Sequence, residues 1–178
     1  MKTVQKIRTA EEFINMKPHN YYELCADIDF TGVSYNSVDL HYNHLDGNNF
    51  SIKNIESKSP IFGSVCNSTI ENLFIINAFI SSGNKTSLFA RDLSDTNTYN
   101  VIAMSCTVVW EEPCYEYLAV YDPFSMNYGE EYLLVNGYEF ESIVFKNCVF
   151  PQKTECFLLD AQFKANVKNV FFVNNIIN

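Results

Sequence analysis

The feature that most constrains this chain is a short internal repeat, an apolar residue, any residue, Asn, then an apolar residue. It recurs as Ile52-Lys53-Asn54-Ile55, Ile70-Glu71-Asn72-Leu73 and Val167-Lys168-Asn169-Val170, with variants at Tyr99-Asn100-Val101 and Ser142-Ile143. Five residues after each marker stands a second small polar residue: Ser59, Asn77, Ser105, Asn147 and Asn174. The markers lie 18, 28, 42 and 27 residues apart, so the pattern stays fixed while the segments between copies vary. That is how a solenoid reads, with conserved core strands and loops that absorb insertions.

Between markers the alternation is strand-like. Leu73, Ile75 and Ala78 are expected to point inward in one copy, and Ile143, Phe145 and Cys148 in another. Parallel strands about 4.8 Å apart would align them into apolar stacks, with Asn ladders bonding rung to rung at the turns. The predicted fold is all-β: a short right-handed parallel β-helix of about five coils, forming one domain over residues 1–178.

The segments Tyr21–Phe30, Leu45–Ile55, Ile61-Phe62-Gly63 and Thr69–Leu73 resemble those of right-handed parallel β-helices built of GLUG-like repeats. The resemblance covers about Thr9 to Ala90 and implies an opening strand, a turn at Asp46-Gly47 and the first repeats. Gly63 is kept, but Ala, Ser and Cys replace the other small residues usual in such repeats.

At the N-terminus, Thr9 and Glu12 have the spacing of a capping box ahead of Phe13, Ile14 and Met16. A short amphipathic helix is expected there, within an N-terminal cap over residues 1–20. At the other end, Val170–Asn178 reads as a core strand with no polar cap. An open coil end of this kind calls for a partner, a second copy or a folded-back loop. Residues 1–8 carry positive charge without an apolar run behind them. The expectation is therefore neither a secretion signal nor a membrane anchor, but a cytoplasmic protein with reduced cysteines.

Nucleotide-binding loops, serine-hydrolase elbows and zinc-protease helices have characteristic motifs, and none occurs here. His41 and His44 with Asp39 and Asp46 have metal-ligand or acid-base chemistry, yet read more simply as a polar surface loop before the Asp46-Gly47 turn. Cys106 and Cys114 are eight apart, as are Cys148 and Cys156, and the pairs differ by 42, placing them at matching positions on neighbouring coils. Cys106 and Cys148 fall where Ala78 turns inward, so they are expected to be small buried hydrophobes. No catalytic residue, metal site or cofactor is expected.

Charge distribution is the strongest functional signal. From Asp92 to Phe145 there is no Lys or Arg but ten acids, which accounts for all of the net charge of −9. The same stretch holds Trp110 and seven of the eleven tyrosines. Within it, residues 106–141 read as an inserted acidic, aromatic loop region. The candidate partner-binding residues are Trp110, Glu111, Glu112, Tyr115, Glu116, Tyr117, Tyr121, Asp122, Tyr128, Glu130, Glu131, Tyr132, Tyr138, Glu139 and Glu141. Aromatic anchors supply contact area, and carboxylates steer towards a basic protein surface while disfavouring direct nucleic-acid binding. The expectation is a non-enzymatic inhibitor or adaptor, of phage or mobile-element origin. It would block a nucleic-acid-binding effector, in the manner of an anti-CRISPR protein. The alternatives are a virion fibre or decoration protein forming homo-oligomers through its C-terminal coil, and a carbohydrate-binding or carbohydrate-cleaving β-helix.

Overall fold

A computed structural model describes residues 3–82, 87–110, 125–127, 139–150 and 166–177. In chain order the elements are β1 (Val4–Ile7), α1 (Ala10–Ile14), β2 (Tyr21–Leu24), β3 (Ile28–Asp29), β4 (Val38–His41), β5 (His44–Asp46) and β6 (Ser51–Lys53). Next come β7 (Glu56–Ser57), β8 (Phe62–Cys66), β9 (Thr69–Ile76), β10 (Phe79–Ser82), β11 (Ala90–Ser94) and β12 (Asn97–Met104). The last are β13 (Thr107–Trp110), β14 (Ser125–Asn127), β15 (Glu139–Lys146), β16 (Val149–Phe150), β17 (Asn166–Val173) and β18 (Ile176–Ile177).

The strands stack into three parallel sheets that wind as a solenoid of about four turns, one fewer than the five coils expected from five markers. The main sheet runs β1-β2-β5-β9-β12-β15-β17, with β3 and β6 paired beside this path. A second sheet runs β18-β16-β13-β10-β7, and a third β14-β11-β8-β4. A coil passes from main to second to third sheet and back, as β9, β10 and β11 do before β12 opens the next turn.

The coil turns its corners at residues with left-handed backbone. Asn72, Asn100, Ser142 and Asn169 have φ of 53°, 52°, 59° and 54° and bend β9, β12, β15 and β17 in mid-strand. Five residues on, Asn77, Ser105, Asn147 and Asn174 have φ of 54°, 54°, 54° and 53° and end those strands. Asn tolerates this conformation because its short amide bonds locally, whereas most L-residues pay for it with a Cβ clash. The first copy corrects the sequence reading. The N–H of Asn49 donates to the Asn72 carbonyl at 2.9 Å, and that of Asn54 to the Ile76 carbonyl at 3.1 Å. Asn49 therefore belongs with Asn72, and Asn54 with Asn77; Ser59 is not a corner residue. The five-residue offset survives with different members.

A third column was not anticipated. His19, Tyr42, Asn67 and Asp95 have φ of 62°, 57°, 48° and 48° and precede the return to the main sheet. The bulky rings of His19 and Tyr42 stack face to face there, centroids 4.8 Å apart.

Amide ladders join the rungs as expected. Asn100 Nδ2 donates to Asn72 Oδ1 at 3.0 Å, and Asn72 Nδ2 to Asp46 Oδ1 at 3.1 Å. In the other column Asn77 Nδ2 donates to Asn54 Oδ1 at 2.8 Å, and Asn54 Nδ2 to Asp29 Oδ1 at 3.0 Å. Each column ends on a carboxylate near the N-terminal end. The Thr31 hydroxyl and the Asn54 amide, both bonded to Asp29, hold its pKa down at about 2.

The residue after a corner turns inward. Leu73, Ile75 and Ala78 are buried, as are Ile143, Phe145 and Cys148, in agreement with the alternation. Small polar side chains just past a corner satisfy carbonyls of the preceding rung: Ser68 Oγ to Leu40 O at 3.1 Å and Thr96 Oγ1 to Val65 O at 3.2 Å. Gly47 is required by close approach, since a Cβ there would lie 2.4 Å from the Asn72 carbonyl oxygen and 2.7 Å from Leu73 Cα.

The capping box forms. Thr9 Oγ1 accepts from Glu12 N at 3.1 Å, and Glu12 Oε2 accepts from Thr9 N at 3.2 Å. Helix α1 places Phe13 against Phe30 and Phe62, at centroid distances of 5.8 and 6.3 Å, closing the N-terminal end of the core. Strand β1 adds to this cap a rung paired in parallel with β2. At the far end Phe172 continues the inward stack of Ile75, Ala103 and Phe145, yet is 38% exposed, and Phe171 and Ile176 are 54% and 57% exposed.

Candidate functional site

Strand register places part of the predicted acidic site. Trp110 ends β13 opposite Ser82, and Glu139 opens β15 opposite Asn97 and Asn166. Glu141 lies two residues further along β15, opposite Tyr99 on one side and Lys168 on the other. Glu111, Glu112, Tyr115, Glu116, Tyr117, Tyr121, Asp122, Tyr128, Glu130, Glu131, Tyr132 and Tyr138 lie outside the described residues. Within the region 106–141, Thr107–Trp110, Ser125–Asn127 and Glu139–Glu141 are strand residues of the coil.

Register also reveals a row the sequence did not show. Lys6, Glu23, Asp46, Glu71, Tyr99, Glu141 and Lys168 are successive partners across the main sheet. Their inward neighbours Tyr22, Leu45, Ile70 and Thr98 are buried, so by alternation Glu23, Asp46, Glu71 and Tyr99 face outward. Four of seven positions are carboxylates, one rung or about 4.8 Å apart where consecutive, with lysines at both ends. Three of them have close partners. Glu23 pairs with Lys6 at 2.5 Å and Glu71 with His44 Nε2 at 2.7 Å, while Asp46 accepts from the Asn48 N–H at 2.7 Å and from Asn72. The row is missed by a linear reading because its consecutive members are 17 to 42 residues apart in sequence.

The His41, His44, Asp39 and Asp46 group does not assemble. Asp39 and His41 belong to β4 in the third sheet, and His44 and Asp46 to β5 in the main sheet, so the expected surface loop is in fact two strands. Asp39 Oδ1 accepts from Ser64 N at 2.7 Å, and His41 Nε2 is buried without a hydrogen-bond partner. Among the described residues no group of three or more His, Cys, Asp or Glu is placed to hold a metal ion.

Cys106 and Cys148 occupy matching positions on neighbouring rungs, both fully buried. Their thiols donate to the Ile75 and Ala103 carbonyls at 3.7 and 3.6 Å. The adjacent Cys148 thiol and burial push the Cys106 thiol above its ordinary pKa, so it is a packing group and not a reactive thiolate. Cys114 and Cys156 lie outside the described residues.

Comparison of the chain with known protein families, with curated proteins and with solved structures returned no match. Among the described residues no helix is long and apolar enough to cross a membrane.

Proposed function

We propose that this protein is a non-enzymatic binding module, an inhibitor or adaptor acting in the cytoplasm, whose acidic, aromatic segment occupies a basic surface on a nucleic-acid-binding partner. The observation that carries this reading is the confinement of the whole net charge of −9 to Asp92–Phe145, together with Trp110 and seven tyrosines. A field concentrated in this way steers association, and aromatic side chains supply the desolvated contact. The row of Glu23, Asp46, Glu71 and Glu141 adds support, since it gives the main sheet four carboxylates in one register, with Tyr99 between Glu71 and Glu141. A basic groove built for phosphates accepts such a line in their place. An anti-CRISPR-like protein of phage origin is one form this function takes. Kinship with GLUG-like repeats belongs to the same proposal and rests on Leu45–Ile55 and Thr69–Leu73.

The test is capture from host lysate by the wild type and by a variant carrying Glu111→Lys, Glu112→Lys and Glu116→Lys, at low and moderate salt. A salt-sensitive nucleic-acid-binding protein retained by the wild type and lost by the variant is the expected result. Equal capture by both sinks the assignment of the site. A second reading, a structural protein that assembles through its last coil, is favoured by the exposure of Phe171, Phe172, Val173 and Ile176. Recovery of self-association alone, with a concentration-dependent mass in light scattering, would replace the first reading with this one.

A further inference from the structure

A groove of about 570 Å3 lies between the turn Phe30–Val33 and the outer face of the second sheet, lined by residues outside the acidic segment. Its apolar walls are Val33, 36% exposed, and Phe79, 43% exposed. Glu56 is the rung partner of Phe79, so carboxylate and ring stand side by side on that face. The turn is rigid: Val33 N donates to Phe30 O at 2.9 Å, Gly32 takes φ of 73°, and Asp29 anchors Thr31 through both its N–H and its hydroxyl.

The hydrogen-bonding inventory decides what fits. Several donors around the groove are engaged within its walls: Thr31 on Asp29, the Val33 N–H on Phe30, the Asn54 amide on Asp29 and Thr31, and one Asn77 amide N–H on Asn54. Acceptors remain. The Asn54 and Asn77 amides both donate toward Asp29, which leaves Asn77 Oδ1 at the outer end of this run. The next residue in the column, Ser105, has no amide to donate to it. Among the described residues no donor reaches Asn77 Oδ1 or the Glu56 carboxylate. The Asp29 carboxylate at the base polarises the chain and makes the terminal oxygen a better acceptor. Glu56 carries the one formal charge among the lining residues, and a neutral saccharide would leave that carboxylate without a counter-charge. Its complement is a cation that only donates, is flat enough to lie on a ring, and has an apolar stem.

We propose that this groove binds an arginine side chain of an extended peptide. The guanidinium would lie over Phe79 and donate to Glu56 and Asn77 Oδ1, and the stem would pass along Val33. Lysine, a hydrated point charge without a planar fork, fits less well. The site stands on residues separate from the acidic segment, so either can fail alone.

The probe is the blocked tripeptide acetyl-Gly-Arg-Gly-amide, titrated into the 15N-labelled full chain. Saturable shifts are expected in the side-chain amides of Asn54 and Asn77 and the backbone of Gly32–Ser34. Glu56→Gln, at an exposed position, should keep the spectrum of a folded protein and weaken binding about tenfold, with Phe79→Ala acting in the same direction. The Glu111, Glu112 and Glu116 to Lys variant should bind the peptide as the wild type does. Absence of shifts, or undiminished binding by Glu56→Gln, overturns the proposal. So does a neutral methyl glucoside that moves the same resonances when the peptide does not.

Discussion

The corners of the early rungs and those beside the long connection are built from different residues. From Asp29 to Asn100 the left-handed corners of the two main columns carry Asn, and the amides of Asn54, Asn72, Asn77 and Asn100 reach the rung below, in one case 2.8 Å away. Beyond, the columns meet Ser142 and Ser105, which adopt the same backbone, at φ of 59° and 54°, with a hydroxyl in place of the amide. The serines occupy the two rungs joined by the longest spacing between markers, 42 residues. Backbone geometry and the amide ladder are therefore separable. The corner is compulsory in every coil, while the amide ladder is an added stabilisation that Ser105 and Ser142, one on each rung flanking the long connection, do not extend.

Breaking the ladder at its centre should have the largest effect. Asn72 bonds both Asp46 and Asn100, so Asn72→Ala loses two bonds and must hold Ala in a left-handed conformation. A loss of about 2–3 kcal/mol in urea denaturation is expected. Asn72→Gly keeps the conformation accessible and loses only the ladder, so it should cost about 1 kcal/mol less than Ala. Equal losses would show that the bonds alone matter.

Repairing the ladder should have a smaller effect of opposite sign. Ser105→Asn puts an amide next to Asn77 Oδ1 in a conformation that Asn favours, so a gain of about 1 kcal/mol is expected, read as a higher urea midpoint at unchanged slope. No gain would mean that these rungs are set too far apart to bond.

The smallest effect concerns acid. The folded-state pKa of Asp29, about 2, lies below its ordinary value of 3.8, so the carboxylate's contribution is present above about pH 4 and is lost as pH falls towards 2. Asp27 is shifted the same way by the Ser51 N–H, at 2.9 Å. Asp29→Asn should flatten the fall in stability between pH 4 and 2 without abolishing it. An unchanged profile would remove Asp29 as the base of its column.

Much of this architecture was legible in the residues because αL corners need Asn or a close substitute, and the offset of five is set by the span between corners. The first coil was misread because Ile52-Lys53-Asn54-Ile55 matches the marker pattern, although Asn54 is the second corner and Asn49 the first. Backbone bonds from rung to rung, not apolar flanks, define the column. The third column escaped notice because His, Tyr, Asn and Asp fill it. Its signal was there, five residues ahead of Asn72 at Asn67 and of Asn100 at Asp95. The carboxylate row and the arginine groove depend on which strands lie side by side, and composition holds no record of that. The acidic segment was legible only as composition. Among its proposed contacts, register now relates Trp110, Glu139 and Glu141 to the coil.

The corners Asn67, Asn72 and Asn77 recur as Asp95, Asn100 and Ser105, each 28 residues later and each in the same backbone state. Any cut made at one corner and rejoined at its successor leaves the chain entering and leaving at equivalent points. The segment between is thus a cassette: a duplicated copy would lengthen the shaft by one rung, about 4.8 Å, and carry its insertion sites with it. The molecule's length is an adjustable dimension, set by counting corners, while the cross-section stays the same.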